Sequence, residues 1–101
     1  MKVMKKKEEI LNIIKLKKTE YSDKFGVQDI ALFGSFAKEN ENSNSDVDIM
    51  VSLKEGFTTF DNFMNIKISL EELLNRRVDL VIKDSVRNEF RKRIFDEAIY
   101  A

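Results

Sequence analysis

The chain has 101 residues, of which 43% are hydrophobic and 36% charged, and its formal net charge is zero. This length accommodates one domain with a single hydrophobic core, and the composition is that of a folded protein. The zero net charge excludes a strong global attraction to nucleic acid or to a membrane surface. Cysteine and histidine are both absent. Their absence excludes disulfides, zinc sites built on thiolate or imidazole ligands, and catalysis by a histidine base.

Neither a membrane span nor a signal peptide is predicted. No stretch approaches the roughly 18 consecutive apolar residues of a transmembrane helix. The N-terminus is basic but lacks the continuous apolar segment of a secretory signal. The expected compartment is therefore the cytoplasm. If the protein is an enzyme, carboxylates and bound cations have to perform the chemistry.

The first predicted element is a helix over residues 5–24, where apolar side chains recur at a spacing of three and four. Gly26 is expected to end this helix, because glycine adopts the left-handed conformation without a steric penalty. The many lysines of the helix are interpreted as a solvated face, and a nucleic-acid patch is the alternative. A short apolar strand is predicted at residues 27–33.

Gly34 ends this strand, and residues 35–38 are predicted to form one helical turn with Ser35 near its N-cap. The polar residues 39–44 read as a loop. A second strand is predicted at residues 46–53.

The second half of the chain predicts a helix, a strand and a helix. Residues 58–75 carry a broad apolar helical face, which Thr58 or Thr59 can cap and Asn75 can end. Residues 78–82 predict a third strand. The last helix is expected to start with Ser85 as its cap, and its apolar positions are Phe90, Ile94, Phe95, Ala98 and Ile99.

The element order α-β-α-β-α-β-α predicts an α/β (α+β) fold with a small mixed sheet. Strands two and three are separated by a helix and should be parallel. The connection between strands one and two is too short for a parallel crossover, so these strands should be antiparallel. A three-stranded sheet with flanking helices follows, and a fourth strand is compatible with it.

Three aspartates lie in the otherwise apolar strands two and three. Asp46 and Asp48 share one face of strand two, with their Cα atoms about 6.5–7 Å apart. Asp79 lies in the neighbouring strand and can complete the cluster. A buried charge is costly unless it is paired or metal-bound. Oxygen-only ligands favour Mg²⁺, and two ions spaced about 3.5–4 Å apart are typical of phosphoryl transfer.

The Gly34–Ser35 pair lies where strand one leads into a helical turn. Free backbone N–H groups and a serine hydroxyl at such a position bind phosphate, and glycine permits close approach. Taken alone, the pair is more often an ordinary turn, and a lone Asp-x-Asp is more often an exposed strand face. The conjunction of both patterns with a third strand aspartate is the specific signal.

These residues resemble the signature of the DNA polymerase beta-type nucleotidyltransferase superfamily. The likeness rests on Ala-Leu-Phe-Gly-Ser, on Ser45-Asp46-Val47-Asp48 and on Asp79 in Val-Asp-Leu-Val. More narrowly, the chain is similar to the minimal nucleotidyltransferases (MNT), the antitoxins of HEPN–MNT toxin–antitoxin pairs. The resemblance covers nearly the whole chain, so residues 1–101 are expected to form one nucleotidyltransferase domain.

The resemblance implies a Mg²⁺-dependent transfer of a nucleoside monophosphate from a nucleoside triphosphate, with ATP as the expected substrate. The acceptor it implies is a tyrosine of a partner HEPN toxin, which would make the protein a type VII-like antitoxin. Asp46, Asp48 and Asp79 would be the catalytic residues and the ligands of two Mg²⁺ ions. The residues implied in nucleotide binding are Gly34, Ser35, Lys38 and Ser45.

Two positions depart from the family pattern. Phe36 stands where a basic residue is frequent, and Glu39 replaces a glycine, which predicts weaker triphosphate binding. An alternative function follows: a nucleotidyltransferase-fold module that neutralises its partner by binding alone. Transfer to RNA or to a small molecule is a third reading, although neither nucleic acid nor a membrane is an expected partner. A homodimer and a hetero-oligomer are both compatible with the sequence.

Contact with a protein partner should involve exposed apolar side chains. The sequence contains eight phenylalanines, more than one small core is expected to bury. The candidate contact residues are Phe57, Phe60, Phe63, Phe95, Ile99 and Tyr100. Each of them taken singly is more often a core residue.

Overall fold

The computed structural model describes residues 6–42 and 44–101. Its elements, in chain order, are α1 (Lys6–Phe25), β1 (Val27–Phe33), α2 (Gly34–Ala37), β2 (Val47–Leu53), α3 (Phe60–Leu74), β3 (Val78–Ile82), a 3₁₀ turn (Lys83–Ser85), α4 (Asn88–Glu97) and β4 (Ile99–Tyr100). Residue 5, the predicted start of the first helix, and residue 43 of the predicted polar loop lie outside the described residues. Within the described part of the chain, no helix is long and apolar enough to cross a membrane.

The four strands form one mixed sheet in the order β3-β2-β1-β4. Strands β1 and β2 are antiparallel, and β2 and β3 are parallel, so both predicted orientations are confirmed. The register places Asp48 of β2 between Phe33 of β1 and Asp79 of β3. The sheet therefore brings two of the three strand aspartates side by side.

The two faces of the sheet bury different amounts of apolar surface. Helices α1 and α3 pack on one face, where Ile49, Val51, Ile66 and Leu70 are fully buried. On the other face, α4 contributes partly buried side chains that pack against Ala31, Phe33 and Met50. Since side chains alternate along a strand, Asp48 shares the α4 face with Met50. The acidic residues thus lie on the less covered face, at the end where β2 and β3 begin.

Three local signals in the sequence end or begin elements as expected. Gly26 has φ +69° and follows α1, and its N–H donates to the carbonyl of Ser22 at 3.1 Å. The Thr59 side chain caps α3 by accepting from the Asn62 N–H at 3.2 Å. Asn75 ends α3 with φ +52°. These signals act within a few residues, which is why sequence alone predicts them.

The end of the chain departs from the predicted closing helix. Ser85 is not the helix cap, because it belongs to the 3₁₀ turn and α4 starts three residues later. The helix stops at Glu97, and Ile99–Tyr100 pair with β1 as a fourth strand. The N–H of Ala101 then donates to the carbonyl of Ile30 at 3.0 Å. The open edge of β1 offers hydrogen bonds that a further helical turn would leave unmade.

Candidate active site

Asp48 and Asp79 form the centre of the candidate site. They are register partners on the parallel strands β2 and β3, and their carboxyl groups lie within hydrogen-bonding reach of each other. Asp48 is half-buried, while Asp79 is exposed. The predicted proximity of the second and third strand aspartates is therefore observed.

The environment of Asp48 raises the pKa of its carboxyl group from 3.8 to about 6. The largest cause is burial, which disfavours the charged form. The negative charges of Asp79 and Asp46 raise the pKa further, whereas a hydrogen bond from the Ser35 N–H lowers it. A cation bound next to this carboxyl group would stabilise its ionised form, which burial and the neighbouring negative charges disfavour.

The Gly34–Ser35 turn packs directly against Asp48. Gly34 has φ +72°, and a Cβ atom at this position would overlap Asp48 Oδ2 and lie 2.8 Å from its Cγ. The backbone conformation and the close approach therefore both require glycine. Phe36, two residues later, is fully buried in the core and anchors the turn. The Ser35 N–H donates to Asp48, the same carboxylate that the sequence predicts to bind a metal.

The start of β3, next to Asp79, is fixed by hydrogen bonds from backbone N–H groups. The N–H of Val78 donates to Glu71 Oε2 at 3.0 Å, and Lys67 Nζ lies 2.9 Å from the same oxygen. The N–H of Val47 donates to the carbonyl of Arg77 at 2.9 Å. Asp79 is thus held on a strand end whose position is determined from both sides.

Asp46 pairs with an arginine and does not complete the predicted cluster of three aspartates. It precedes β2, is exposed, and its Oδ1 atom is 3.3 Å from Arg77 Nε. In residues 6–42 and 44–101, no group of three acidic side chains is close enough to hold a metal ion as the side chains stand. Arg77 is thus paired with the Asp46 carboxylate, which would otherwise be available to complete the cluster.

The remaining predicted nucleotide contacts are engaged with the protein. Lys38 Nζ lies 2.7 Å from Glu97 Oε1, on α4. The Ser45 hydroxyl oxygen accepts from the Asn42 N–H at 2.9 Å, which orders the loop before Asp46. The assignment of Ser45 and Lys38 to the nucleotide stays a prediction.

Two arginines at the site were not singled out in the sequence. The Arg76 guanidinium lies over the Phe36 ring, 5.1 Å from its centroid, and Arg77 pairs with Asp46. The position of Arg76-Arg77 immediately before the third strand was the available signal. Phe36 itself is a core residue, and Glu39 Oε1 lies 3.4 Å from Lys7 Nζ.

Replacing Asp48 by asparagine is expected to raise stability at pH 8 and to have little effect at pH 4. Between pH 4 and pH 6 the native state binds more protons than the unfolded state, because the native pKa of Asp48 is the higher one. The free energy of unfolding of the wild type therefore falls as the pH rises from 4 to 6, and the variant lacks that loss. Partial exposure reduces the gain at pH 8 to about 1 kcal/mol.

Urea unfolding of both proteins at pH 4 and pH 8, in the presence of a chelator, measures this difference. Loss of other carboxylate interactions at pH 4 affects both proteins alike. An equal stability difference at the two pH values would contradict the raised pKa of Asp48.

Comparison with known proteins identifies the family. Residues 8–100 match the profile of the family described as polymerase beta, nucleotidyltransferase. The chain belongs to the polymerase beta nucleotidyltransferase family. This nucleotidyltransferase is 38% identical over 93 residues to the protein adenylyltransferase MntA of Thermococcus cleftensis, covering 92% of this chain and 93% of the relative.

Solved structures confirm the predicted nucleotidyltransferase fold. A structure described as a candidate minimal nucleotidyltransferase superposes with a TM-score of 0.72 at 28% identity, covering 91% of this chain and 88% of that one. A complex of tri-AMPylated Shewanella oneidensis HEPN toxin with MNT antitoxin matches with a TM-score of 0.65 at 21% identity, covering 93% and 70%. At that identity, the second likeness concerns the fold of the nucleotidyltransferase alone.

Proposed function

We propose that this nucleotidyltransferase is a protein adenylyltransferase that moves AMP from ATP to a tyrosine of a HEPN-type toxin and so acts as its antitoxin. The observation that carries the proposal is the pairing of Asp48 with Asp79 beneath the Gly34–Ser35 turn. The name of the Thermococcus relative supports the adenylyl group. The Shewanella complex, in which a HEPN toxin is AMPylated beside an MNT antitoxin, supports the partner.

The chemistry of the donor set, which consists of carboxylate oxygens alone, suits Mg²⁺. Asp46, Asp48 and Asp79 would hold two such ions, since Mg²⁺ prefers carboxylate oxygens, phosphates and water. The raised pKa of Asp48 reflects burial and like-charge repulsion that a divalent cation would relieve. When bound, Mg²⁺ would neutralise charge on the triphosphate during the transfer. Asp46 would have to exchange Arg77 for the ion.

The chain's own residues would orient the two reactants. The backbone at Gly34–Ser35 would receive the phosphates, because glycine has no Cβ atom to block their approach. The Ser35 N–H, which donates to Asp48, would become available once that carboxylate binds a cation. The tyrosine oxygen would form a bond to the α-phosphorus as the bond to the β-phosphate bridging oxygen breaks and pyrophosphate leaves. The phenolic proton would pass to the carboxylate of Asp79, the most exposed acid of the pair.

The proposal is tested with the purified protein, ATP, Mg²⁺ and a HEPN-type protein from the same organism. Intact mass spectrometry should show the HEPN protein gaining mass in multiples of AMP, and peptide mapping should locate the modification on tyrosine. A HEPN protein of unchanged mass in a reaction whose antitoxin fails to bind ATP would overturn the proposal.

A double variant, Asp46→Asn with Asp48→Asn, separates catalysis from binding alone. We expect it to lose both transfer and toxin neutralisation. Full neutralisation by the double variant would instead establish that contact suffices and that transfer is not the mechanism.

A further inference from the structure

We propose that the apolar groove between β3, α3 and α4 is the docking site for the segment of the protein acceptor that carries the modified tyrosine. The inference rests on the proposed function and assigns it an acceptor subsite. The groove has a volume of about 440 Å³, and residues of β3, the strand on which Asp79 lies, form part of its lining.

The groove is lined mainly by apolar side chains. Its lining includes Val81 and Ile82 of β3, Phe63 of α3, and Phe90 and Ile94 of α4. The Phe90 side chain remains 48% exposed. β3 is the last strand at this end of the sheet, so its outer edge has no strand neighbour within the described chain. An apolar groove beside an open strand edge suits an extended or helical protein segment.

The position of the groove relative to Asp79 identifies the occupant. Asp79 and Val81 lie on the same face of β3, with their Cα atoms about 6.5–7 Å apart. A tyrosine that delivers its proton to Asp79 must come within hydrogen-bonding distance of that carboxylate. Leu80 and Val81, which directly follow Asp79 in β3, line the groove, so a polypeptide bound in it would hold its tyrosine near that carboxylate.

An arginine with an exposed side chain lies at the rim of the groove. Arg87 lines the groove, its side chain is 79% exposed, and its Nη1 atom lies 4.0 Å from Glu89 Oε1. Arg91 donates to the carbonyls of Val86 and Asp84, which holds the turn that forms the rim. The chemistry fits an acceptor segment with an apolar or aromatic anchor and acidic residues beside it.

The test compares two substitutions at equally exposed apolar residues. Phe90→Asp introduces a charge into the groove, whereas Ile68→Asp introduces the same charge on α3 at a residue that is also 48% exposed. With the HEPN protein as acceptor, we expect Phe90→Asp to raise KM by about tenfold or more, because loss of an aromatic anchor has effects of that size. Ile68→Asp should leave KM unchanged. Both variants should bind ATP as the wild type does, which verifies folding of the nucleotide site.

Two matched charge-reversal variants provide a second measurement. Arg87→Glu should raise KM for the HEPN protein more at low salt than at high salt, because rim charges act through screened electrostatics. Lys92→Glu makes the same charge change at an exposed α4 residue outside the groove and should have no such effect.

The outcomes separate the docking site from the proposed function. If the wild type modifies the HEPN protein and Phe90→Asp does so with an unchanged KM, the docking site is wrong and the function stands. A change in oligomeric state by sedimentation with unchanged KM would likewise assign the groove to a second copy and overturn the inference. If the wild type transfers no AMP, the proposed function fails. Weaker binding of the HEPN protein to Phe90→Asp than to Ile68→Asp would still support the groove as its docking site, and equal binding would overturn it.

Discussion

Replacing Asp79 by asparagine is expected to reduce AMP transfer by about 10²–10⁴-fold, the usual contribution of a positioned acid or base. Asparagine keeps the shape of the side chain but cannot accept the proton of the attacking hydroxyl. The variant should remain folded, because Asp79 is exposed and its charge is one of the causes that raise the pKa of Asp48. Initial rates of AMP incorporation into the HEPN protein measure the effect.

Asp23→Asn on α1 is the matched control, since it removes one exposed carboxylate from the opposite side of the sheet. Asp79→Asn should also leave the fold as stable as the wild type, or more stable, at pH 7. Transfer within a few-fold of wild type would show that Asp79 does not act on the acceptor. A large loss of thermal stability would instead show that its role is structural.

Replacing Gly34 by alanine is expected to destabilise the protein and to disrupt the acidic site. The added methyl group would overlap Asp48 Oδ2 at a backbone φ of +72°. The left-handed conformation costs about 1–2 kcal/mol for a residue with a Cβ atom, and displacement of the carboxylate adds to it. Denaturant titration should give a lower free energy of unfolding, and Mg²⁺-dependent ATP binding should be weaker.

Gly56→Ala is a control that isolates the backbone term. Gly56 has φ +87°, and a Cβ atom there would meet nothing within 4 Å. The two alanine variants therefore share the conformational cost and differ in the contact with Asp48. Combining Gly34→Ala with Asp48→Ala should recover part of the lost stability but no activity. Equal stability losses in Gly34→Ala and Gly56→Ala would contradict the close packing of Gly34 on Asp48.

The pairing of Asp48 with Asp79 could be predicted because it depends on few assumptions. An intervening helix requires the second and third strands to run parallel, and both aspartates lie near the start of their strands, so they meet at the same end of the sheet. The ion pair of Asp46 with Arg77 could not be predicted in this way. Its formation depends on how two exposed side chains orient at a loop, where the sequence sets no periodicity.

The predicted partner-contact residues differ in how exposed they are in the structure. Phe60 and Tyr100 are 75% and 49% exposed, and Phe57 lies at 36%. Phe63, Phe95 and Ile99 are partly buried. Phe90, which the helical pattern placed on an apolar face, lines the groove instead of the core. Periodicity identifies the apolar face of a helix, but how far a neighbouring element covers that face is a tertiary property.

The amino-acid sequence by itself determined where α1 ends and where α3 begins and ends, from Gly26, Thr59 and Asn75, because capping and turn conformations depend on nearby residues. It also determined that two aspartates would meet on neighbouring strands. Only the tertiary structure decided that the chain ends as a strand on β1, that Arg77 holds Asp46, and that an apolar groove adjoins Asp79. Each of these depends on contacts between residues distant in sequence, whose energies are realised only when the sheet has formed.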